Sequence, residues 1–365
     1  MRETLLSYFP LVSVAFVVAL VIVATFVPKV RDFARQIGAL QQGGGRRVHI
    51  GAVPNIGGIA IFGGFLVALL VGSMVRPELL DAFRVELLAI LLGGALMTLV
   101  GFIDDLWDVP PTMRLATRFV AAGILVVNGV TIDFITNYFG TYFGESAYLF
   151  FGQTLSIVVT LLWVVGFTNA FNFIDGLDGL SSGIAAISSL SLLAVAVQLP
   201  DRGAAVLLLA ALAGSALGFL RHNFNPAKII MGDSGAYLLG YVLAAVSVLG
   251  ALKVTAALTV VAPIMILGVP VLNIAQVTVR RLWGGNNPTL ADNDHLHDII
   301  RVKSGSKRFT VLVLWLATLI LGTCGMMLSH TPPELIYITV IGTVVLIAGV
   351  CWLRLREAAH EQIAG

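Results

Sequence analysis

Eleven apolar stretches constrain this chain most, because each approaches the roughly 20 residues that an α-helix needs to cross a bilayer. Of the 365 residues, 58% are hydrophobic and 12% are charged, whereas soluble domains carry about 25% charged residues. The sequence therefore predicts an all-α, polytopic integral membrane protein with about 11 transmembrane helices in a single membrane domain, residues 1–365. The stretches lie near residues 5–28, 56–75, 86–103, 115–132, 153–169, 180–199, 204–220, 235–252, 255–279, 309–328 and 335–353.

Lys and Arg residues are divided unevenly between the connections. Alternate connections place 17 of the 22 on one side and 5 on the other, and the positive-inside rule makes the richer side cytoplasmic. Eleven spans then put the N-terminus outside and the C-terminus inside. The basic residues are scattered and the net charge is only +2, so no nucleic-acid partner is expected.

The acidic residues of two predicted cytoplasmic connections abut apolar helices. In VGFIDDLWDVPP, Asp104 and Asp108 are four residues apart and share a helix face, while Asp105 points about 100° away. Acids at a helix C-terminus oppose the macrodipole and require a compensating cation. In TNAFNFIDGLDGL, amides and carboxylates recur at every third position, among glycines that let the backbone break or approach a ligand closely. These residues are Asn169, Asn172, Asp175 and Asp178.

Two further cytoplasmic connections carry candidate site residues. In RHNFNPAKIIMGDSGAYLLG, Asp233 is either the N-cap of a helix or an oxygen ligand for magnesium beside backbone amides suited to phosphate. The predicted cytoplasmic loop 280–308 contains His295 and His297. Without a nearby cysteine or third histidine, this pair favours phosphate binding or proton handling over zinc.

The first predicted cytoplasmic loop contains Arg46, Arg47 and His49. Their charge either enforces topology or binds anionic headgroups. The glycines that follow, at positions 57, 58, 63 and 64, are typical of close helix packing.

Carboxylates, amides, histidines and basic groups thus converge on one side of the membrane. Carboxylate oxygens suit magnesium, and magnesium suits phosphates, so the pattern favours phosphoryl transfer at the bilayer surface. An attacking phosphate, with a second pKa near 6, is already largely ionised at neutral pH. A carboxylate such as Asp104 is left open as the acceptor of the remaining proton or as a metal ligand.

Five motifs in order resemble the polyprenyl-phosphate N-acetylhexosamine-1-phosphate transferases over nearly the whole chain. They are the stretch from Arg46 to Gly58, the DDxxD of residues 104–108, NAFNFIDGLDGL, MGDSG and the His-x-His of the last large loop. The resemblance implies a bacterial inner-membrane phosphotransferase that moves a sugar 1-phosphate from a UDP-N-acetylhexosamine to undecaprenyl or decaprenyl phosphate, yielding the lipid diphosphate sugar and UMP. It also implies Mg²⁺, for which Mn²⁺ substitutes, while the oligomeric state is left open between monomer and homodimer.

The resemblance also assigns roles by position. Asp233 is the expected metal ligand, and Asp104 and Asp105 the expected catalytic acids on the lipid-phosphate side. His295 and His297 are expected to contact the diphosphate catalytically. Substrate-binding residues are expected at Arg46, Arg47, His49, Asn169, Asn172, Asp175 and Asp178.

The His-x-His pattern is similar to the branch that starts O-antigen, enterobacterial common antigen, teichoic acid or arabinogalactan linkers, for which N-acetylglucosamine is the default sugar. The muramoyl-pentapeptide branch, which carries three consecutive histidines, is the alternative. This chain departs from its own branch at Ile230, Asn273 and Asp298, where that branch often has an aromatic, an acidic residue and a histidine.

Two other functions are weighed against this one. An aspartate-rich membrane prenyltransferase would use the 104–108 acids but leave MGDSG and the histidines without a role. A cation-coupled transporter would place its acids near mid-membrane, whereas these cluster at the ends of spans.

Overall fold

The computed structural model describes residues 2–41, 52–79, 84–136, 148–251, 261–283 and 295–364. Thirteen α-helices run through these ranges. They are α1 (Arg2–Gln36), α2 (Gly58–Val75), α3 (Arg84–Trp107), α4 (Pro111–Val127), α5 (Gln153–Ile174), α6 (Leu180–Ala196), α7 (Gly203–Asn223), α8 (Gly232–Val246), α9 (Val261–Ile266), α10 (Gly268–Trp283), α11 (Leu296–Ser304), α12 (Lys307–Leu328) and α13 (Pro333–Ala364).

Two short antiparallel ribbons, which the sequence did not predict, accompany the helices. β1 (Leu40–Gln41) pairs with β2 (Val53–Pro54), and β3 (Phe134–Thr136) pairs with β4 (Tyr148–Phe150). Strands of two or three residues are too short to show a period of two.

In the ranges that the structure describes, helices form where the apolar stretches predict them, and the chain is a multi-pass membrane protein of the all-α class. Within the described residues, eight helices are long and apolar enough to cross a membrane, and α6 is an apolar helix of slightly smaller length. The structure differs from the loop predicted at 280–308, because α10 extends to Trp283 and α11 forms part of the remaining segment.

Helix α7 forms the centre of the bundle. Its most apolar 18-residue window is buried throughout, because α1, α2, α6, α8 and α13 pack around it. Helix α8 packs between α3 and α5. The corresponding 18-residue stretch of α13 is at least as apolar, but only 11% of it is buried within the protein. In a membrane, an apolar helix face packs either on other helices, as in α7, or on lipid.

The ninth predicted span is interrupted between Ile266 and Gly268. Pro270 cannot donate a backbone hydrogen bond to the Ile266 carbonyl four residues earlier. The Ser188 hydroxyl of α6 donates to that carbonyl instead, at 3.1 Å. Pro28 in α1 likewise cannot donate to the Ala24 carbonyl. A ring nitrogen of His222 in α7 lies 2.8 Å from the oxygen of that carbonyl. Side chains of neighbouring helices therefore satisfy the carbonyls that prolines release.

Glycines of α2 permit the close packing that the sequence predicted. A side chain at Gly58 would collide with the backbone of Ser234 and Gly235 in α8. One at Gly64 would collide with Val23 of α1. The Gly58 contact brings α2 directly against the first turn of α8, where Asp233 lies. Gly63 is not a close-packing position, since a side chain there would meet only the Phe26 ring at 3.8 Å.

Candidate active site

A polar cavity of about 410 Å³ opens where α3 and α5 end and α8 begins. We call it the acidic cavity. Three of the four acidic connections that the sequence predicted contribute to its walls, together with residues 40, 41 and 55. No described residue of the fourth, 280–308, lines it. Its lining residues are Leu40, Gln41, Asn55, Asp104, Asp105, Leu106, Asp108, Arg114, Asn172, Asp175, Ile230, Gly232 and Asp233.

The Asp104 carboxylate is buried and fully engaged by the protein; its side chain is 1% exposed. Oδ1 accepts the Val109 N–H at 2.8 Å. Oδ2 accepts the Tyr237 hydroxyl at 2.9 Å and lies 3.0 Å from Nε of Arg114. Asp104 therefore joins α3, α4 and α8.

Arg114 is the cation that the acids at the end of α3 require. Besides Asp104, its Nη2 lies 2.6 Å from Oδ1 of Asp108, whose side chain is 95% exposed. Pro111 occupies the first position of α4, and Arg114 follows one turn later, directly facing the end of α3. A positive charge at the C-terminal end of a helix stabilises that end, because the helix dipole is negative there.

Asp105 contacts the first turn of α8, whereas Asp104 contacts Tyr237 about one turn further along that helix. Its carboxylate accepts hydrogen bonds from the Asp233 N–H at 2.8 Å, the Ser234 N–H at 3.2 Å and the Ser234 hydroxyl at 2.9 Å. The sequence left Asp233 open as an N-cap, but the structure places Asp233 inside the first turn of α8. The capping group is Asp105.

Asp233 presents its carboxylate to the acidic cavity. Among the described residues, its donor is Nδ2 of Asn172, at 2.6 Å from Oδ1. It is close enough to Asp104 and Asp105 for their charges to interact with its own. Asp104 and Asp105 have several donors each, whereas Asp233 has one among the described residues and lies beside two like charges.

Asp175 lies at the end of α5 and lines the cavity beside Asn172. Burial raises its pKa to about 6, against a hydrogen bond from the Ser181 hydroxyl that favours the charged form. Its carboxyl group therefore changes charge close to neutral pH.

Asp178 and Asn169 lie outside the cavity lining. Asp178 is buried and accepts hydrogen bonds from Nδ2 of Asn225 at 2.8 Å and from the Ala227 N–H at 3.3 Å. It thus fastens the segment 224–231, the connector between α7 and α8. Asn169 lies in α5 one turn before Asn172.

The far side of the connector is held by α12 and α13. Arg354 is buried and donates from Nε to the Pro226 carbonyl at 3.1 Å. Glu357 accepts from Nζ of Lys228 at 3.0 Å and from Arg221 at 2.9 Å. Arg308 donates to Oδ1 of Asn225 at 3.2 Å. The chain that leads into Asp233 is therefore fixed from several directions.

His297 packs against the loop that follows α5, and neither it nor His295 lines the acidic cavity. It is 3% exposed, and a side chain at Gly176 would collide with its imidazole. Burial lowers its pKa to about 4, so the ring is neutral at physiological pH. His295 stacks on it at 5.5 Å between ring centroids and lies 5.6 Å from the Phe173 ring.

Asn273 fixes the position of the two histidines. It is fully buried in α10, and its Oδ1 accepts the Leu296 N–H at 2.9 Å. An amide at this position accepts that bond without placing a buried charge. Arg46, Arg47 and His49 lie outside the described residues.

Comparisons with known proteins identify the family. Residues 87–251 match glycosyl transferase family 4. A Bacillus subtilis (strain 168) protein named probable undecaprenyl-phosphate N-acetylglucosaminyl 1-phosphate transferase is 33% identical over 320 residues, covering 87% of this chain and 85% of that protein. The chain belongs to glycosyl transferase family 4.

Two further family 4 relatives support the branch. A Mycobacterium tuberculosis (strain ATCC 25618 / H37Rv) protein named decaprenyl-phosphate N-acetylglucosaminephosphotransferase is 35% identical over 307 residues, 79% of this chain and 75% of that protein. A Thermotoga maritima protein named undecaprenyl-phosphate alpha-N-acetylglucosaminyl 1-phosphate transferase is 31% identical over 297 residues, 80% and 83% of the two chains. The branch is that of the polyprenyl-phosphate N-acetylglucosamine-1-phosphate transferases, and membership excludes the prenyltransferase and transporter alternatives.

The sequence did not single out three side chains of this family 4 site: Arg114, Tyr237 and Ser234. The sequence contained an indication of Arg114, because acids at the C-terminal end of a helix require a nearby cation. The Tyr237 hydroxyl and the Ser234 hydroxyl find their acceptors on α3, more than 120 residues away, and only the folded chain shows these contacts.

Proposed function

We propose that this chain transfers N-acetylglucosamine 1-phosphate from UDP-N-acetylglucosamine to a polyprenyl phosphate, giving polyprenyl-diphospho-N-acetylglucosamine and UMP. One observation supports this above all. Carboxylates and amides from several helix ends line one polar cavity at the end of an apolar helix bundle. A water-soluble nucleotide and a membrane lipid both require such a position.

The proposed reaction is a displacement at phosphorus. An oxygen of the lipid phosphate forms a bond to the β-phosphorus of the UDP-sugar, and the bond from that phosphorus to the bridging oxygen breaks. UMP leaves with the bridging oxygen. Since an ionised phosphate is already a nucleophile, the protein contributes mainly positioning and charge neutralisation.

Mg²⁺ fits the chemistry of the acidic cavity. Asp233 lies among like charges with one amide donor among the described residues, a condition that a cation relieves. No group of three His, Cys, Asp or Glu in the described ranges forms a preassembled metal cluster. Mg²⁺ commonly binds through one or two carboxylates, with water and substrate phosphates completing its coordination. Asp233 would hold it, and the bound ion would neutralise charge on the diphosphate; Mn²⁺ would serve in its place.

The remaining site residues divide between the two substrates in this proposal. Asn172 and Asp175 line the side of the cavity that would bind the nucleotide. The neutral ring of His297, beside Gly176, suits hydrogen bonding to the diphosphate without adding charge. Arg46, Arg47 and His49 would attract the lipid headgroup by charge.

The cavity would face the cytoplasm, where UDP-sugars are made. The 17 to 5 division of Lys and Arg supports this orientation. Arg114, Arg221, Lys228 and Arg308 all lie at the cavity end of the bundle, near the connector or the end of α3. Eleven crossings then put the N-terminus outside.

A donor comparison with purified protein tests the proposal. Polyprenyl phosphate and Mg²⁺ are supplied with UDP-N-acetylglucosamine, UDP-N-acetylgalactosamine or UDP-N-acetylmuramoyl pentapeptide, and both UMP and lipid-linked sugar are measured. We expect equal amounts of the two products with UDP-N-acetylglucosamine. Turnover with the muramoyl donor alone would favour the alternative branch, and no UMP from any of these donors would refute the proposal.

A further inference from the structure

Asp105 makes its hydrogen bonds across the structure, to the first turn of a helix 128 residues away in sequence. Oδ1 accepts the Asp233 N–H, and Oδ2 accepts both the N–H and the hydroxyl of Ser234. The backbone of α3 joins this arrangement, since Nδ2 of Asn55 donates to the Asp105 carbonyl at 3.3 Å.

Helix α8 lacks a local cap and obtains one from α3. Its N-cap position is occupied by Met231, whose side chain makes no capping hydrogen bond. The first N–H groups of a helix have no partner within the helix and carry partial positive charge. A carboxylate placed on two of them satisfies both and stabilises the helix start by charge as well.

Gly232 allows the Asp105 carboxylate to approach this closely. Its φ of +73° lies in the left-handed region, which glycine adopts without strain. A Cβ at this position would lie 2.5 and 2.7 Å from the two carboxylate oxygens of Asp105. The backbone therefore packs directly on the Asp105 carboxylate.

We propose that Asp105 is a positioning residue, which fixes the backbone and orientation of Asp233, and that it does not accept a proton from the substrate or hold the metal. The carboxylate oxygens of Asp105 accept hydrogen bonds from three donors and pack against the Gly232 backbone. The Asp233 carboxylate has one donor among the described residues. This inference rests on the proposed function only in taking Asp233 as the carboxylate that holds Mg²⁺. The sequence left Asp104 and Asp105 equally open as base or ligand.

The two roles predict different behaviour of the α8 backbone. If Asp105 caps α8, Asp105→Asn and Asp105→Ala expose the amides of residues 233 and 234, so hydrogen–deuterium exchange in the peptide spanning 231–236 rises by at least about tenfold. Ser234→Ala removes only the hydroxyl donor and should raise exchange by a smaller factor. Exchange in α7 should stay unchanged in all three variants.

The same variants separate the roles by metal requirement. If Asp105 positions Asp233 by capping α8, replacing Asp105 should raise the Mg²⁺ concentration for half-maximal turnover by about 10 to 100-fold. Groups that orient a metal ligand change metal affinity by about that factor. Ser306→Ala is the matched control, because Ser306 caps α12 through the Phe309 N–H away from the acidic cavity. It should leave the Mg²⁺ requirement unchanged.

Three results distinguish the possibilities. Faster exchange at 231–236 with a raised Mg²⁺ requirement supports the positioning role. Strongly reduced but measurable turnover in Asp105→Asn, with wild-type exchange and wild-type Mg²⁺ requirement, overturns it, because Asp105 would then act on the reacting groups directly. Complete loss of turnover with wild-type exchange overturns it as well. If Asp105→Ala fails to fold, Asp105→Asn decides. Absence of turnover in the wild-type protein would refute the proposed function and leave the exchange result standing.

Discussion

Two acidic segments with similar spacing meet in the acidic cavity, and the fold uses them differently. At the end of α3, Asp104 and Asp105 each accept several hydrogen bonds from other helices. After α5, Asp175 lines the cavity while Asp178 turns away to fasten the connector. The position of these acids at the ends of predicted spans indicates that the two segments lie on the same side of the bundle. The role of each carboxylate depends on how many hydrogen bonds it already accepts from the protein.

The largest expected effect is at Asp233, a carboxylate of the cavity that has one amide donor among the described residues and lies beside Asp104 and Asp105. Asp233→Ala should lower kcat by at least about 10³-fold, because neutralisation of phosphate charge supplies most of the catalysis in phosphoryl transfer. Its unfolding temperature should stay near that of the wild type. Asp32→Ala is the control, since Asp32 is an exposed carboxylate on α1. Retained turnover in Asp233→Ala would remove this residue from the metal role.

The next effect is the pH dependence at Asp175. With a pKa of about 6, its carboxylate is about one-tenth ionised at pH 5 and largely ionised at pH 7. If the charged form binds substrate or metal, turnover should rise roughly tenfold over this interval. The substrate phosphate titrates in the same range, so Asp175→Asn is the informative variant. A pH profile identical to that of the wild type would show that Asp175 does not contribute.

The sign of the stability effect at Asp175 is opposite. Its folded pKa of about 6 lies above the ordinary value of 3.8 for an aspartate, so the folded state binds the proton more tightly than the unfolded state. Stability is greatest below about pH 4 for this group and is lost as the pH rises through about 6. Asp175→Asn should therefore flatten the fall in unfolding temperature across that window, as thermal unfolding in detergent would show.

Asp178 should affect stability more than chemistry. Asp178→Ala leaves the Ala227 N–H and the Asn225 amide without their acceptor, which costs about 1–3 kcal/mol for buried groups. We expect a lower unfolding temperature and a several-fold loss of turnover, with the Mg²⁺ requirement unchanged. A raised Mg²⁺ requirement with a wild-type unfolding temperature would instead place Asp178 among the substrate-binding groups.

The smallest effect is expected at Glu357, which is partly exposed and joins α13 to the connector through Lys228. Such pairs contribute about 1 kcal/mol or less, so Glu357→Gln should reduce turnover by less than about threefold. Glu334→Gln, at the exposed start of the same helix, should have no effect. A loss comparable to that of Asp178→Ala would show that α13 contributes more to holding the connector.

Much of the fold could be predicted from the sequence, because a membrane span is an apolar stretch of defined length. Pro270, which leaves the Ile266 carbonyl at the break between α9 and α10 without its helical donor, is visible in the sequence, but the hydrogen bond from Ser188 that compensates for it depends on the packing of α6. The ribbons were missed because two or three residues carry no periodic signal.

The convergence of acids on one site was also predictable, since charge is costly in apolar helices. The different roles of the individual carboxylates could not be predicted. The donors to Asp105 lie on the backbone of Asp233 and Ser234, and no spacing in the sequence reveals which N–H groups face which carboxylate.

The position of the metal tests the account most directly. Anomalous diffraction from Mn²⁺ in crystals of the protein with UDP-N-acetylglucosamine would locate it. We predict density beside the Asp233 carboxylate, with the hydrogen bonds that Asp233 and Ser234 donate to Asp105 intact. A metal bound to Asp105, with those hydrogen bonds broken, would contradict it.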